Sequence, residues 1–303
     1  MLPAAMQFLT PAVYPQLKKF FQDQPHRLSV YSLPSLICWD TPVYRAVYKI
    51  LADVLIIGSY CVPRPDENHL ILPIAPQWEE PPERLWHIAR ELDFPQYYFV
   101  PQEYVIRHDL EQENHYFVCT EQKEYEDYIY KTRDLLQLRG NRYANKRNWI
   151  ARFLKNNDGQ YILERINESN VEECLVFLEE WCQFYDCMVN ESLACEKHAT
   201  ITMLRHIKEL DAEGLLVRIK GKVSAFAIRT PLTEHMANLT FEKAFPHIIG
   251  LYPFLDRECA RHLFPAYAFI NKESDMGLQG LAESKESYHP VQRRKSYRLA
   301  LKL

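Results

Sequence analysis

Between Phe269 and Pro290 the chain reads FINKESDMGLQGLAESKESYHP, and Asn271, Lys272, Glu273, Asp275, Lys285, Tyr288 and His289 crowd in behind one short apolar run. Carboxylates can take up protons, amines can meet phosphates or carboxylates, and a phenol is still neutral at pH 7, so the stretch has the groups for proton transfer and anion binding. Asn271 and Asp275 also suit hydrogen bonds to loop backbone N–H groups, so an Asx turn and a catalytic role for Asp275 stand side by side. Lys285 is placed to meet a phosphate or a substrate carboxylate. A second candidate is Glu242, which with Lys243 ends an apolar run. Strand alternation sends the two to opposite faces, where a carboxylate is either a base for a nucleophile's proton or half of a rim ion pair.

A third feature is charge. From Asp109 to Asp127 Lys123 is the one cation, whereas Arg139 to Lys155 holds Arg139, Arg142, Lys146, Arg147, Arg152 and Lys155 with no acid. The second segment also carries Trp149, Ile150, Phe153 and Leu154 at helical spacing, which predicts an amphipathic helix with a basic face. That face is either solvated and paired with the acidic stretch, or a seat for a phosphate-rich molecule, with Arg142, Lys146 and Arg147 as its donors. Polyanion binding would then weaken steeply with salt.

Elements must carry these groups. The 303 residues, 47% hydrophobic, are enough for two domains with real cores, and a net charge of -4 excludes a globally basic nucleic-acid binder. No run reaches the roughly 18 uncharged apolar residues of a membrane span, and the N-terminus lacks a leader pattern, so a cytoplasmic protein is expected. The eight cysteines lack close CxxC pairs, which argues for reduced thiols and against zinc. No metal site is expected. HExxH, GxxxxGK[ST] and a Ser-His-Asp order are absent, which removes zincin, P-loop and hydrolase readings.

Periodicity predicts a helix over 11–22, strands over 43–50, 53–61 and 69–74, a helix over 83–92 and a strand over 97–100. After the acidic boundary it predicts a strand over 160–166, helices over about 171–181 and 196–210, strands over 215–220 and 223–230 joined by a tight turn at Gly221-Lys222, and a strand over 237–241. A helix over 253–263, a strand over 267–270, a helix over 278–286 and a closing strand over 297–303 follow. The expected domains are 1–125 and 126–303, the second including the basic helix at 139–155.

Strand, two helices, three antiparallel strands, helix, strand, helix, strand is the order of the GNAT acyltransferase fold, so residues 160–303 resemble one complete copy and the first half a degraded one. With LRGNRYANKRNWIARF at 138–153, FEKA at 241–244 followed by Gly250 and Tyr252, and INKESDMGLQGLAESKESYHP at 270–290, the chain resembles a bacterial family of tandem-GNAT proteins similar to the C-terminal domain of phosphatidylglycerol lysyltransferase. The resemblance implies an α+β fold of two tandem GNAT-like domains, each a mostly antiparallel mixed sheet flanked by helices. It implies transfer of an acyl or aminoacyl group to an amine or hydroxyl.

In that fold a helix N-terminus after the fourth strand receives the donor's pyrophosphate, with the pattern Q/R-x-x-G-x-G/A. Here it reads His247, Ile248, Ile249, Gly250, Leu251, Tyr252. His247 stands at the pattern's first position, and of its small residues one glycine survives, Gly250, which reads equally as a donor-site residue or as a loop residue with positive φ, while Tyr252 replaces the final small residue and weighs against coenzyme A. An aminoacyl-tRNA or another phosphate-bearing acyl carrier is therefore expected ahead of acyl-CoA, with no other cofactor. The resemblance also makes Tyr288 the acid that protonates the leaving group, beside Glu242 and Asp275. The alternative reading is a non-enzymatic ligand-binding protein that retains the fold.

Overall fold

The computed structural model describes residues 6–75, 79–112, 114–185, 187 and 189–302, and the chain divides into two compact units. Unit 1 comprises residues 1–128, 273–283 and 293–303, and unit 2 residues 129–272 and 284–292. Where the sequence suggests one cut near residue 125, both units are thus discontinuous.

Unit 1 opens with β1 (Gln7–Phe8) and the helices α1 (Tyr14–Leu17) and α2 (Leu33–Cys38). The hairpin β2 (Tyr44–Leu51) and β3 (Val54–Cys61) leads to β4 (His69–Leu70), α3 (Pro82–Glu91), β5 (Gln96–Pro101), α4 (Gln102–Arg107) and β6 (Phe117–Glu121). The second sheet begins with β7 (Asp127–Lys131), followed by α5 (Thr132–Gln137), α6 (Ala144–Asn156), β8 (Tyr161–Arg165), α7 (Val171–Phe184) and α8 (Glu191–Arg205). Then come β9 (Glu213–Ile219), β10 (Lys222–Thr233), β11 (Met236–Ala244), α9 (Leu251–His262), β12 (Phe269–Asn271), α10 (Gln279–Glu286), β13 (Gln292–Arg294) and β14 (Ser296–Leu301).

The sheets run β1-β2-β3-β4-β5-β14-β6 and β13-β7-β12-β11-β10-β9-β8. From β8 to α10 the order of elements is the one expected of a GNAT-like domain, and the fold is mixed, with helices flanking two mixed sheets. The last strand departs from expectation. Instead of completing the second sheet, β14 lies antiparallel between β5 and β6, with Tyr297 opposite both Val100 and Glu121. Its place beside β12 is taken by β7, which aligns Lys131 with Phe269 and Ile129 with Asn271. Residue 303 lies outside the described residues. The physical reason is that Tyr297 and Leu299, both buried, satisfy one strand face, and an alternating pattern does not say which sheet will receive it.

Two further corrections are local. Cys182 and Cys187, five apart with Cα atoms at 5.3 Å, form a disulfide where reduced thiols are expected. The tight turn falls one residue early, with Lys220 and Gly221 both left-handed between the paired Ile219 and Lys222.

In unit 2 the basic segment forms α6 as expected, burying Ile150 and Phe153 while the Trp149 side chain stays 45% exposed. Phe153 packs on Phe254 of α9, ring centroids 4.6 Å apart, and Tyr161 closes the cluster at 5.2 Å from Phe254. The two helices approach most closely at Gly250. Its φ is +82°, and a Cβ there would lie 2.1 Å from the Trp149 carbonyl oxygen and 3.1 Å from Phe153 Cβ. Glycine is required by both the backbone conformation and the contact.

Gly221 supplies the internal comparison, because its φ is +81° but a Cβ would meet nothing within 4 Å. Gly221→Ala is therefore expected to cost about 1–2 kcal/mol, the left-handed penalty alone. Gly250→Ala should cost clearly more, about 3 kcal/mol or above, since α6 or α9 must also move. Urea unfolding of the two variants checks the difference, and equal losses would mean that α6 yields freely.

Candidate functional site

The site starts from a parting of strands. β11 is nine residues long, yet only Met236, Ala237 and Asn238 pair with β12, in parallel with Phe269, Ile270 and Asn271. On its other edge β11 stays paired with β10 through to Ala244 opposite Ala225. Past Asn238 the β12 side of β11 is thus open within the sheet, and side chains fill the gap. Glu242 and Lys243 go to opposite faces as alternation demands. Lys243 is buried with its Nζ 2.5 Å from Glu196 of α8 and 4.3 Å from the Trp181 ring centroid. Lys243 thus has its own buried ion pair on the α8 side, and Glu242 turns to the other face.

There it meets Lys272, the residue after β12. Lys272 Nζ lies 3.1 Å from Glu242 Oε2 and is also bonded to Asp256 Oδ1, from the second turn of α9. All three side chains are nearly withdrawn from water, at 15%, 10% and 5% exposed for Glu242, Lys272 and Asp256. Burial opposes charge on Lys272, but the Asp256 and Glu242 carboxylates outweigh it and hold the ammonium well above its ordinary pKa. Glu242 goes the other way. Burial and then the Asp256 charge raise its carboxyl to about 7, against the pull of Lys272 and Lys285. Its Oε1 is buried without a hydrogen-bond partner among the described residues. A carboxyl poised near neutrality with one unsatisfied oxygen is suited to exchanging a proton at pH 7.

Tyr288 covers this cluster. The side chain is buried, and its hydroxyl is hydrogen-bonded to Asp256; burial and the neighbouring carboxylates push its pKa well up, so it stays a proton-bearing phenol. Lys146 of α6 places its Nζ 3.7 Å from the Tyr288 ring centroid and donates to Ser287 Oγ at 2.6 Å. Burial lowers the Lys146 pKa, Asp256 and Glu242 resist, and Lys272 adds to the lowering. Backbone bonds hold the cluster in place. Tyr143 donates to the Tyr288 carbonyl at 3.0 Å, Tyr130 to the Lys285 carbonyl at 2.7 Å, and Lys285 Nζ to the Lys272 carbonyl at 2.5 Å.

The sequence candidates thus separate. Glu242, Tyr288 and Lys146 come together, and Lys285 stands behind them, its Nζ on the Lys272 carbonyl. Arg142 is half-exposed and pairs with Asp134 at 3.2 Å. Arg147 donates to the carbonyls of Leu138 and Gly140 at 2.6 and 2.7 Å, closing the left-handed turn that precedes α6. Asn271 is fully buried in the ladder of β12. Asp275, in unit 1, accepts from Tyr128 Oη at 2.6 Å and from Gly277 N at 2.8 Å, which is the Asx-turn geometry. His247 stacks on Phe245 at 5.3 Å. The Tyr252 phenol is raised by burial and is hydrogen-bonded to the Ala244 backbone and the Trp181 side chain. Gly250 is occupied by the α6 contact described above.

Sequence reasoning assigned no role to Asp256 and none to Lys272 beyond its place in the polar stretch. The signal for Asp256 was available: it lies four residues from both Tyr252 and Ala260, on a line of α9 that turns inward, where an acid needs a partner.

Residues 68–300 match the family model described as phosphatidylglycerol lysyltransferase, C-terminal. Among solved structures, a conserved protein of unknown function from Bacteroides thetaiotaomicron is 27% identical, with a TM-score of 0.87 and complete coverage of both chains. The C-terminal domain of a putative lysylphosphatidylglycerol synthetase from Agrobacterium fabrum is 12% identical with a TM-score of 0.64, over 96% of this chain and 92% of that one. The L-PGS of Bacillus licheniformis is 14% identical with a TM-score of 0.60, over 94% and 91%. The last two likenesses are of fold. No curated protein matches.

The Glu242 geometry has a pH signature. Because its folded pKa, about 7, lies above the ordinary 4.5, the native state holds this proton more tightly than the unfolded chain does. The resulting stabilisation is complete below 4.5 and is lost as pH rises through 7. Relative to Glu242→Gln, the wild-type unfolding free energy should fall across that window. A protonated-carboxyl infrared band should disappear with a midpoint near pH 7 and be missing from the variant; a midpoint near 4.5 would contradict the assignment.

Proposed function

This chain belongs to the phosphatidylglycerol lysyltransferase C-terminal family, and on that premise we propose that it transfers an aminoacyl group from an aminoacyl-tRNA, or from another phosphate-bearing acyl carrier, to an amine or hydroxyl. The observation that carries the proposal is Glu242, with a carboxyl near neutrality and an unpartnered oxygen at the parting of β11 and β12.

Ionised Glu242 takes the proton of the acceptor's nucleophilic atom as that atom bonds to the acyl carbon; the acyl-oxygen bond to the carrier then breaks, and the carrier oxygen takes that proton back from Glu242 and leaves as a hydroxyl. Lys146 is the cation best placed to meet negative charge developing on the acyl oxygen. The Tyr288 hydroxyl is engaged with Asp256, so we assign Tyr288 to orienting that carboxylate, and through it Lys272, ahead of protonating the leaving group. Lys285 acts at one remove by fixing the Lys272 backbone. Positioning supplies the remainder of the rate, as in any direct transfer within a ternary complex.

Gly250 favours a carrier other than coenzyme A. The start of α9 is packed against the Trp149 carbonyl, and Tyr252 fills the space beside Ala244, so the close approach that a pyrophosphate needs is taken by protein. The exposed cations Arg139, Arg152 and Lys155 near and along α6 suit an extended phosphate backbone. The acceptor is an amine or hydroxyl; among the described residues no helix is long and apolar enough to cross a membrane.

A donor and acceptor screen at pH 8 tests the reading. Transfer should increase with pH around an apparent pKa of about 7. Glu242→Gln should lower it by about 10²-fold or more while leaving donor binding intact. tRNA binding should weaken with log-linear dependence on salt. Retention of wild-type turnover by Glu242→Gln would remove the base; ligand binding without any turnover would make the chain a binding protein.

A further inference from the structure

Beside the loop that joins β11 to α9 lies an aromatic cluster that the proton-transfer chemistry does not use. Phe245 is 9% exposed and anchored on Phe177 at 4.7 Å. On it rest two rings that face solvent. His247 is stacked at 5.3 Å and 30°, and Phe184, the last residue of α7 and 55% exposed, lies 5.7 Å from Phe245 and 5.5 Å from His247. Two supports keep them there: the buried Phe245 beneath, and Trp181, one turn back on α7, whose indole donates to the Ala244 carbonyl at 3.1 Å. That second bond ties the end of α7 to the end of β11, two residues from Glu242.

The other side of the same loop is cationic. Gly250 touches the backbone of Trp149, and Asn145, Asn148, Trp149, Arg152 and Lys155 make up exposed positions of α6. One six-residue loop, 245–250, is therefore flanked by a fixed aromatic surface and by a basic helix. Those are the two parts that single-stranded nucleic acid requires: a platform for a base, which any π face can stack on, and cations for the backbone.

We propose that Phe184, Phe245 and His247 form the stacking platform for the unpaired 3′-terminal base of the donor RNA, with the exposed cations of α6 following its phosphates. The inference rests on the carrier reading above and deepens it, by naming where the nucleotide that bears the acyl group is gripped. Stacking the terminal base at the end of β11 sets the distance from its ribose to the parted edge of the strand, where Glu242 waits. Discrimination here comes from a free base end, independently of the double-stranded part of the carrier.

Binding of an RNA stem-loop with a single-stranded 3′-CCA end, compared with the same stem whose 3′-terminal nucleotide is abasic, tests it by anisotropy at fixed salt. Wild type should prefer the CCA end by about tenfold, the usual range for one stacked base. Phe184→Ala and His247→Ala should each erase most of that preference without changing affinity for the abasic stem, and Phe184→Trp should keep it. Equal binding of both stems by wild type, or variants that weaken both stems alike, would overturn the platform while leaving the carrier reading in place. Platform-dependent binding of coenzyme A with no preference between the stems would also overturn it. Absence of salt-dependent binding to either stem would overturn the aminoacyl-tRNA form of the carrier reading as well.

Discussion

A single ammonium held between two carboxylates, away from water, is the interaction on which the chemistry of unit 2 depends. Lys272 cannot neutralise both Glu242 and Asp256, and removal of charge from water costs several kcal/mol per ion unless each is matched. Asp256 receives the direct lysine bond and the Tyr288 hydroxyl. Glu242 has the longer contact at 3.1 Å and an oxygen with no partner. The excess negative charge is therefore relieved at Glu242, whose carboxyl rises to about 7. Its readiness to trade a proton is a consequence of burial first and of unmatched charge second, so a neutral group in place of Asp256 would lower the Glu242 pKa while the contribution of burial stayed.

The backbone supports that balance from three directions. β11 brings Glu242 because it stays paired with β10 after leaving β12. β12 brings Lys272, whose carbonyl accepts from Lys285 Nζ while the Lys285 carbonyl accepts from Tyr130. α9 brings Asp256, and its start is set by the contact of Gly250 with α6. α6 in turn delivers Lys146 to the Tyr288 ring. The basic helix thus has different roles on different faces: Ile150 and Phe153 pack, Lys146 enters the cluster, Arg147 closes a turn, and Arg152 and Lys155 remain in solvent.

Much of this was legible in the sequence. The order of elements from β8 to α10, the amphipathic basic helix and the polar stretch after β12 follow from period, glycine placement and charge, all of which act over a few residues. Glu242 was a candidate because a carboxylate ends a strand. The separation of Glu242 from Lys243 also follows from alternation, but which of the two meets a partner on α8 and which faces α9 does not. Asp275 illustrates the opposite case: an acid in a turn reads the same whether it holds Gly277 N or performs chemistry, and the hydrogen bond from Tyr128, 147 residues away, is not one the local pattern supplies.

By itself the sequence determined the helices and strands from β8 to α10 and where acids and bases are concentrated, because these depend on neighbours within a turn or a strand; it left α2, α4, β6, β7 and α5 unread. Only the tertiary structure decided that β14 joins β5 and β6 while β7 stands beside β12, since an alternating strand is equally satisfied by either sheet edge. Only it decided that Asp256, Lys272 and Glu242 meet, because these residues come from three elements and their pKa values are properties of burial and distance. A residue's identity sets the proton it can carry; its surroundings set the pH at which it will give that proton up.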